Sequence, residues 1–292
     1  MPSAPTELSL DQLGTSSVVN VTQPSVKHVV ETFLQIPRTS DHLISNISEG
    51  ITPDSYTSST DNFDGYQNHL QGVQRLGNGT FLAVTGGDPH TPSSHLFICK
   101  MGSRPKHGPW WPNIAPGALA PPTDRLVTLV ALDDKHWHAG GMDVLGDVLA
   151  VPIEYPPPDT LPEIKADFEP PDFGNTKRSR VLFFDVADPA IPKKLPVEIV
   201  RSGVTAAAVA LTRLPTGYFL AAVAGGKGKY GRWLDFYLSE TKQLNGGFRA
   251  KSTKWFVNDV YAAPQRSRTF DSFQTINFVT QDDGELYLIG TH

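Results

Sequence analysis

His69-Leu-Gln-Gly72, followed by Leu76, Gly79 and Phe81-Leu-Ala-Val84, is the first of four copies of one pattern. The second copy reads His138-Ala-Gly-Gly141, Gly146 and Val148-Leu-Ala-Val151. The third reads Ala207-Ala-Val-Ala210, Leu214, Gly217 and Phe219-Leu-Ala-Ala222. The fourth reads Gln274-Thr-Ile-Asn277, Gln281, Gly284 and Leu286-Tyr-Leu-Ile289. A strand-rich unit recurring roughly every 69 residues predicts an all-β chain, a β-propeller with four recognisable blades. The count rises to five or more if further blades follow in a longer protein.

Each copy predicts a strand nearest the axis, then a turn at Gly79, Gly146, Gly217 or Gly284, where a tight hairpin calls for positive φ. The second strand of each copy is almost wholly apolar, as when both faces pack on neighbouring sheets. Third strands are expected at Leu96–Lys100, Arg180–Val186 and Trp233–Leu238. Fourth strands are expected at Arg125–Val130, Pro196–Val200 and Ser252–Val257. Copy four holds only two strands. Apolar, β-branched segments at 17–21 and 26–36 read as strands that complete this last blade, within one domain spanning 17–292. Residues 1–16 read as a disordered or extended tail. Residues 37–63, and the Pro-rich stretches 106–123 and 156–177, read as loops.

Arg180-Val-Leu-Phe-Phe-Asp-Val-Ala-Asp-Pro-Ala-Ile-Pro-Lys-Lys194 resembles the LVIVD repeat of bacterial β-propeller proteins: an apolar strand, then Asp-Val-x-Asp-Pro-x-x-Pro. The strand would end at Asp185, Asp188-Pro189 would start a turn, and Pro192 would keep the chain extended. The resemblance implies a propeller and no single chemistry.

Composition narrows the function classes. Charged residues are 19% of the 292, and Gly and Pro number 25 each, a balance set by many turns and short strands. The net charge of -5 comes without a basic stripe, which argues against a nucleic-acid partner. The start of the chain lacks a basic region followed by an apolar stretch, and no apolar run reaches membrane-spanning length. The default expectation is a cytoplasmic protein without a membrane partner, or a secreted one if the chain is a mature or truncated form. The single cysteine, Cys99, reads as a small core residue.

The repeat register sets the candidate site. His69, His138, Ala207 and Gln274 are equivalent and would converge at one end of a central channel. His136-Trp-His138 would put two imidazoles on one face of a strand. His69, His136 and His138 are thus a candidate set for a divalent transition metal, with open positions for water or substrate. His69 and His138 are also candidate acid–base groups. Glu154 is either a solvated turn residue or a carboxylate that orients a histidine or acts as general base. Tyr66, Asn68, Gln71, Gln274 and Asn277 could hydrogen-bond a polar ligand at the channel mouth. Trp110 and Trp111 either stack on a ligand or pin their loop. Gly226-Lys-Gly-Lys-Tyr-Gly231 matches a dinucleotide fingerprint, but a strand and not a helix is predicted after it, so no nucleotide cofactor is expected.

Two functions fit these residues. One is a binding module for a small polar ligand, a sugar or a protein partner. The other is a metal-assisted or histidine-based hydrolase, lyase or isomerase with its site on the axis.

Overall fold

The computed structural model describes residues 7–16, 19, 21–35, 69–88, 93–102, 125–133, 135–155, 179–226, 233–256 and 273–291. Four sheets, each built mainly from one stretch of chain, account for most of them. The strands, in chain order, are β1 (Glu7–Ser9), β2 (Ser25–Val26), β3 (His69–Leu76), β4 (Phe81–Asp88), β5 (Ser93–Lys100), β6 (Arg125–Asp133), β7 (His138–Ala139), β8 (Asp143–Leu145) and β9 (Val148–Glu154). They continue with β10 (Ser179–Asp185), β11 (Lys193–Arg201), β12 (Ala208–Arg213), β13 (Phe219–Ala224), β14 (Trp233–Ser239), β15 (Phe248–Phe256), β16 (Thr275–Gln281) and β17 (Leu286–Thr291). One α-helix, α1 (Val29–Gln35), stands among the described residues.

The first sheet runs β1-β6-β5-β4-β3, the second β11-β10-β9-β7 with β8 also on β9, the third β12-β13-β14-β15, and the fourth β17-β16-β2. The predicted second, third and fourth strands of the first three copies all form, paired antiparallel in the predicted order. Gly79, Gly146, Gly217 and Gly284 all take positive φ, 84°, 58°, 90° and 91°, as the hairpins require. Asp188 Oδ1 accepts the Ala190 N–H at 3.0 Å, building the turn expected after β10.

The cores lie between sheets. Val148, Ala150, Val181, Phe183, Leu195 and Val197 of the second sheet pack on Val209, Leu211, Ala221 and Val223 of the third. The opposite face of the second sheet packs on the first through Leu149, Val151, Leu182 and Phe184 against Leu96, Ile98 and Val130. Burial of both faces is why these strands read as continuous apolar runs.

The first strands of the sheets meet backbone to backbone. The ladder of the second sheet breaks after Ala139. Pro152 of β9 has no N–H to give, although its carbonyl accepts from Gly140 N–H at 3.1 Å. Gly141 turns instead to the third sheet, donating to Ala207 O at 2.8 Å and accepting from Val209 N–H at 3.0 Å. Thr85 joins the first sheet to this junction, with its hydroxyl accepting from Gly72 N–H and donating to Gly140 O, each at 2.9 Å. A Cβ on Gly140 would stand 1.9 Å from Ala207 O, and one on Gly141 2.2 Å from Gln274 O of the fourth sheet.

The N-terminal part departs from expectation. Residues 7–16, expected as a tail, belong to the fold. β1 pairs in parallel with β6, Leu13 is buried, and Thr15 bridges Lys194 at the edge of β11. Val19 and Val21 lie outside any strand and pack on the core between the second and third sheets, while Ser17, Val18 and Asn20 are outside the described residues. Of the predicted 26–36 strand only Val26 falls in a strand, β2, which pairs with the C-terminal end of β16 and not with β17. Val29–Gln35 is helical instead. The Gln281 side chain accepts the Val29 N–H at 3.0 Å, Thr32 bonds back to His28 O, and Val29 is buried. A tertiary cap and one buried contact override the strand preference of β-branched residues. Gln23 bonds Arg213 N–H and the Thr280 hydroxyl, each at 2.9 Å, so this segment touches all four sheets in turn.

Candidate functional site

The second sheet carries a polar row at one end. His138, Glu154, Ser179 and Arg201 are directly opposite one another on β7, β9, β10 and β11. Directly paired residues share a face, and this face looks toward the third sheet. Below them the same face is apolar, so the row caps the seam between the two sheets.

Glu154 is 1% exposed and His138 13%. His138 Nδ1 stands 3.0 Å from Glu154 Oε1, and Glu154 Oε2 accepts the Ala206 N–H. The solvated-turn reading of Glu154 is therefore replaced by a buried carboxylate against an imidazole. The Trp137 ring meets His138 edge-on, with centroids 5.3 Å apart. Gly226 closes the other side, donating its N–H to Thr205 Oγ1 at 2.7 Å, and a Cβ there would stand 2.8 Å from Glu154 Oε1.

Arg201 is the second charged centre of the row. Its Nη2 donates to Asp235 Oδ2 at 2.5 Å, its Nη1 to Thr205 O, and its Nε to the Tyr237 hydroxyl at 3.3 Å. Asp235 Oδ1 also accepts the Lys254 N–H at 2.6 Å. Burial raises the Tyr237 hydroxyl above the usual phenol range, the Asp235 charge adds to this, and Arg201 opposes it. Ser179 Oγ donates to Val204 O at 2.8 Å. Residues 204–206, shortly before β12, are thus held by Ser179, Arg201 and Glu154 together.

His136 belongs to a different cluster. The strand begins only at His138, so the His-x-His pair does not share a strand face. His136 Nδ1 lies 3.1 Å from Asp133 Oδ1, on the first-sheet side. Asp133 Oδ2 accepts from Arg180 Nη1 at 3.0 Å, and Arg180 Nη2 donates to Glu198 Oε2 at 2.5 Å. Burial pushes the Asp133 carboxyl up, but the hydrogen bonds and charge of His136 and the Lys135 N–H outweigh it, and its pKa falls well below the usual range. His136 and His138 therefore answer to different carboxylates on opposite faces of the second sheet. The His69 side chain, the third member of the expected set, lies outside the described residues. Among the described residues no group of three or more His, Cys, Asp or Glu side chains is placed to hold a metal ion.

The remaining expectations divide. Asn277 serves the junction, donating Nδ2 to Asp143 Oδ1 at 2.7 Å. Gln274 is exposed, with its carbonyl against Gly141. Gln71 is half-buried on β3. Tyr66, Asn68, Trp110, Trp111 and the His69 side chain lie outside the described residues. The strand ends that bracket 103–124, Lys100 paired with Arg125, are at the opposite end of the first sheet from His69 paired with Gly87. As expected, the segment after Gly226 leads into a strand, β14.

Sequence reading missed Arg201, Asp235, Thr205 and Ser179. A signal was present. Leu195, Val197, Ile199 and Arg201 alternate along one face of β11, so Arg201 is a charge on an apolar face, and Glu154 holds the same place on β9.

Glu154→Ala would leave the buried Ala206 N–H without its acceptor and remove the carboxylate beside His138. The expected loss is about 2 kcal/mol of unfolding free energy in urea titration. Glu154→Gln, whose amide oxygen still accepts one bond, should lose less than half of that.

No helix among the described residues is long and apolar enough to cross a membrane. No protein-family model matches this chain, and a search of the curated proteins finds no match either.

Proposed function

We propose that this chain is a β-propeller-type binding module whose ligand site is the polar end of the seam between the second and third sheets. Four sheets in sequence order, first strands meeting at a shared junction, and positive-φ glycines at equivalent hairpins support the propeller reading. The LVIVD-like stretch at 180–194 agrees with it.

The observation that carries the site is the His138–Glu154 pair. Burying a carboxylate costs free energy unless it is fully partnered, and here that cost is met at a strand end. The strands β9, β13 and β15, which end at Glu154, Ala224 and Phe256, all lead at this end into segments that reach the next strand or sheet, and such connections commonly carry binding residues. The axis itself is closed at Gly140 and Gly141, so a ligand would sit at the end of the stack and not inside it. A small polar molecule, such as a sugar, hydrogen-bonded to the His138 imidazole fits this setting.

A thermal-shift panel of mono- and disaccharides and small hydroxy acids tests the reading. At least one compound should raise the melting temperature of the wild type and not of His138→Ala. Equal shifts in both proteins, or none in either, would overturn it.

A second reading is acid–base catalysis, favoured by the 3.0 Å approach of Nδ1 to Oε1, through which Glu154 would fix the ring and support positive charge on it. Turnover of chromogenic glycosides or esters, lost in His138→Gln and weakened in Glu154→Gln, would decide for it.

A further inference from the structure

β14 brings a tryptophan to the end of the seam where His138 and Glu154 stand. Tyr237 of β14 packs on the core shared with the second sheet, and Asp235 pairs with Arg201 across the same seam. Trp233 lies two residues before Asp235 on that strand and shares its face. Gly225 N–H donates to Trp233 O at 3.3 Å, and the next residue, Gly226, is the one packed on Glu154. One strand spacing, about 5 Å, thus separates the Trp233 backbone from the glycine pair beside the carboxylate. The Trp233 side chain is partly exposed.

The indole is held in place by a second strand. Opposite Asp235, β15 supplies two residues, Thr253 and Lys254, where the ladder calls for one. Lys254 takes φ 58°, a backbone conformation that favours glycine. Asp235 Oδ1 accepts the Lys254 N–H at 2.6 Å, and Lys254 Nζ stands over the Trp233 ring, 5.6 Å from its centroid. Bulges of this kind re-aim a side chain and recur beside functional sites. Asp235 Oδ2 accepts from Arg201 Nη2 at 2.5 Å. One carboxylate therefore joins the residue that fixes the indole to the row that carries His138.

A fixed aromatic plane beside directional polar groups suits a molecule with one apolar face and a polar rim. A pyranose has that shape: its C–H face packs on the ring and its hydroxyls meet the imidazole. An open-chain polyol has the hydroxyls without the face. A hydroxy acid lacks the face too, and would bring its charge toward Glu154. Resting on the site proposed above, we infer that its ligand is a sugar in the pyranose form, stacked on Trp233 with its hydroxyls toward His138.

The probes are methyl β-D-glucopyranoside, methyl β-D-galactopyranoside, methyl α-D-mannopyranoside and cellobiose, with sorbitol and lactate as ring-free controls. Calorimetric titration of the full chain should show binding of at least one pyranoside and of neither control. Trp233→Ala should weaken that pyranoside about tenfold, and Trp233→Phe, which keeps a ring, about two- to threefold. Lys254→Gly removes the clamp and relieves the backbone, so it should weaken binding without lowering the melting temperature. Circular dichroism checks the fold of each variant. A pyranoside that depends on His138 but binds Trp233→Ala as it binds the wild type would overturn the inference and leave the His138 site standing. Equal binding of sorbitol or lactate would do the same. No binding of any probe would overturn both.

Discussion

Gly140→Ala should destabilise the protein by about 4 kcal/mol, beyond the usual range for adding one methyl group to a packed interior. The new Cβ would stand 1.9 Å from Ala207 O and 2.6 Å from its carbonyl carbon. Both atoms are backbone, in the strand-to-strand contact that joins the second and third sheets, so no rotamer change relieves the clash. One sheet has to move against the other, at the expense of the 2.8 and 3.0 Å bonds of Gly141. Gly203→Ala is the control. Nothing lies within 4 Å of its Cβ, and only its φ of 68° opposes a side chain. That strain should cost about 1 kcal/mol. Urea unfolding of the two variants separates a steric junction from ordinary loss of glycine.

Asp143→Ala should be nearly as damaging, by about 3 kcal/mol at pH 7. Asp143 is buried and ties three sheets together. Its Oδ2 accepts from Leu211 N–H of the third sheet at 2.7 Å. Its Oδ1 accepts from Asn277 of the fourth at 2.7 Å and from its neighbour Val144 N–H at 2.9 Å. Each orphaned buried donor costs about 1–3 kcal/mol, and relief from burying a charge offsets part of the total. Burial pushes the Asp143 carboxyl up to about 6, against the hydrogen bonds of Leu211, Asn277, Val144 and Phe278. The folded state thus holds this proton more tightly than the unfolded chain. The associated stability is complete below the ordinary value of 3.8 and is lost as the pH rises through about 6. Asp133 behaves oppositely: its lowered pKa stabilises above the ordinary value, and that contribution fades as the pH falls. The stability difference between the wild type and Asp143→Asn should therefore shrink from pH 4 to pH 7. A difference independent of pH would show that Asp143 does not titrate in this window.

The sheets were legible in the sequence because their signals are local. Apolar second strands, glycine at each hairpin and Asp188-Pro189 after β10 depend on neighbours a few residues away. The junction was not legible. Gly72, Gly140 and Gly141 stood in the quoted repeats, but what they make room for is backbone from distant copies. The separation of His136 from His138 was hidden for a related reason. β9 ends at Glu154, so its pairing with the first strand begins only at His138, and the two imidazoles meet different carboxylates. Glu154 could be named as a carboxylate near His138, but its burial depends on Ala206, 52 residues away. Val29–Gln35 has strand-like composition and becomes helical through Gln281, a contact that composition does not encode.

The ligand site proposed at the His138 end presupposes that the first strands are joined at Gly140 and Gly141. Native-state amide hydrogen exchange tests this most directly, residue by residue. The amides of Gly141, Val209 and Leu211 bond across sheets to Ala207 O, Gly141 O and Asp143 Oδ2, and should exchange only through global unfolding. Their protection should match the free energy from urea titration and fall in Asp143→Ala. Fast exchange at these three amides, with the hairpin strands still protected, would contradict the account, because the sheets would then not be joined at their first strands.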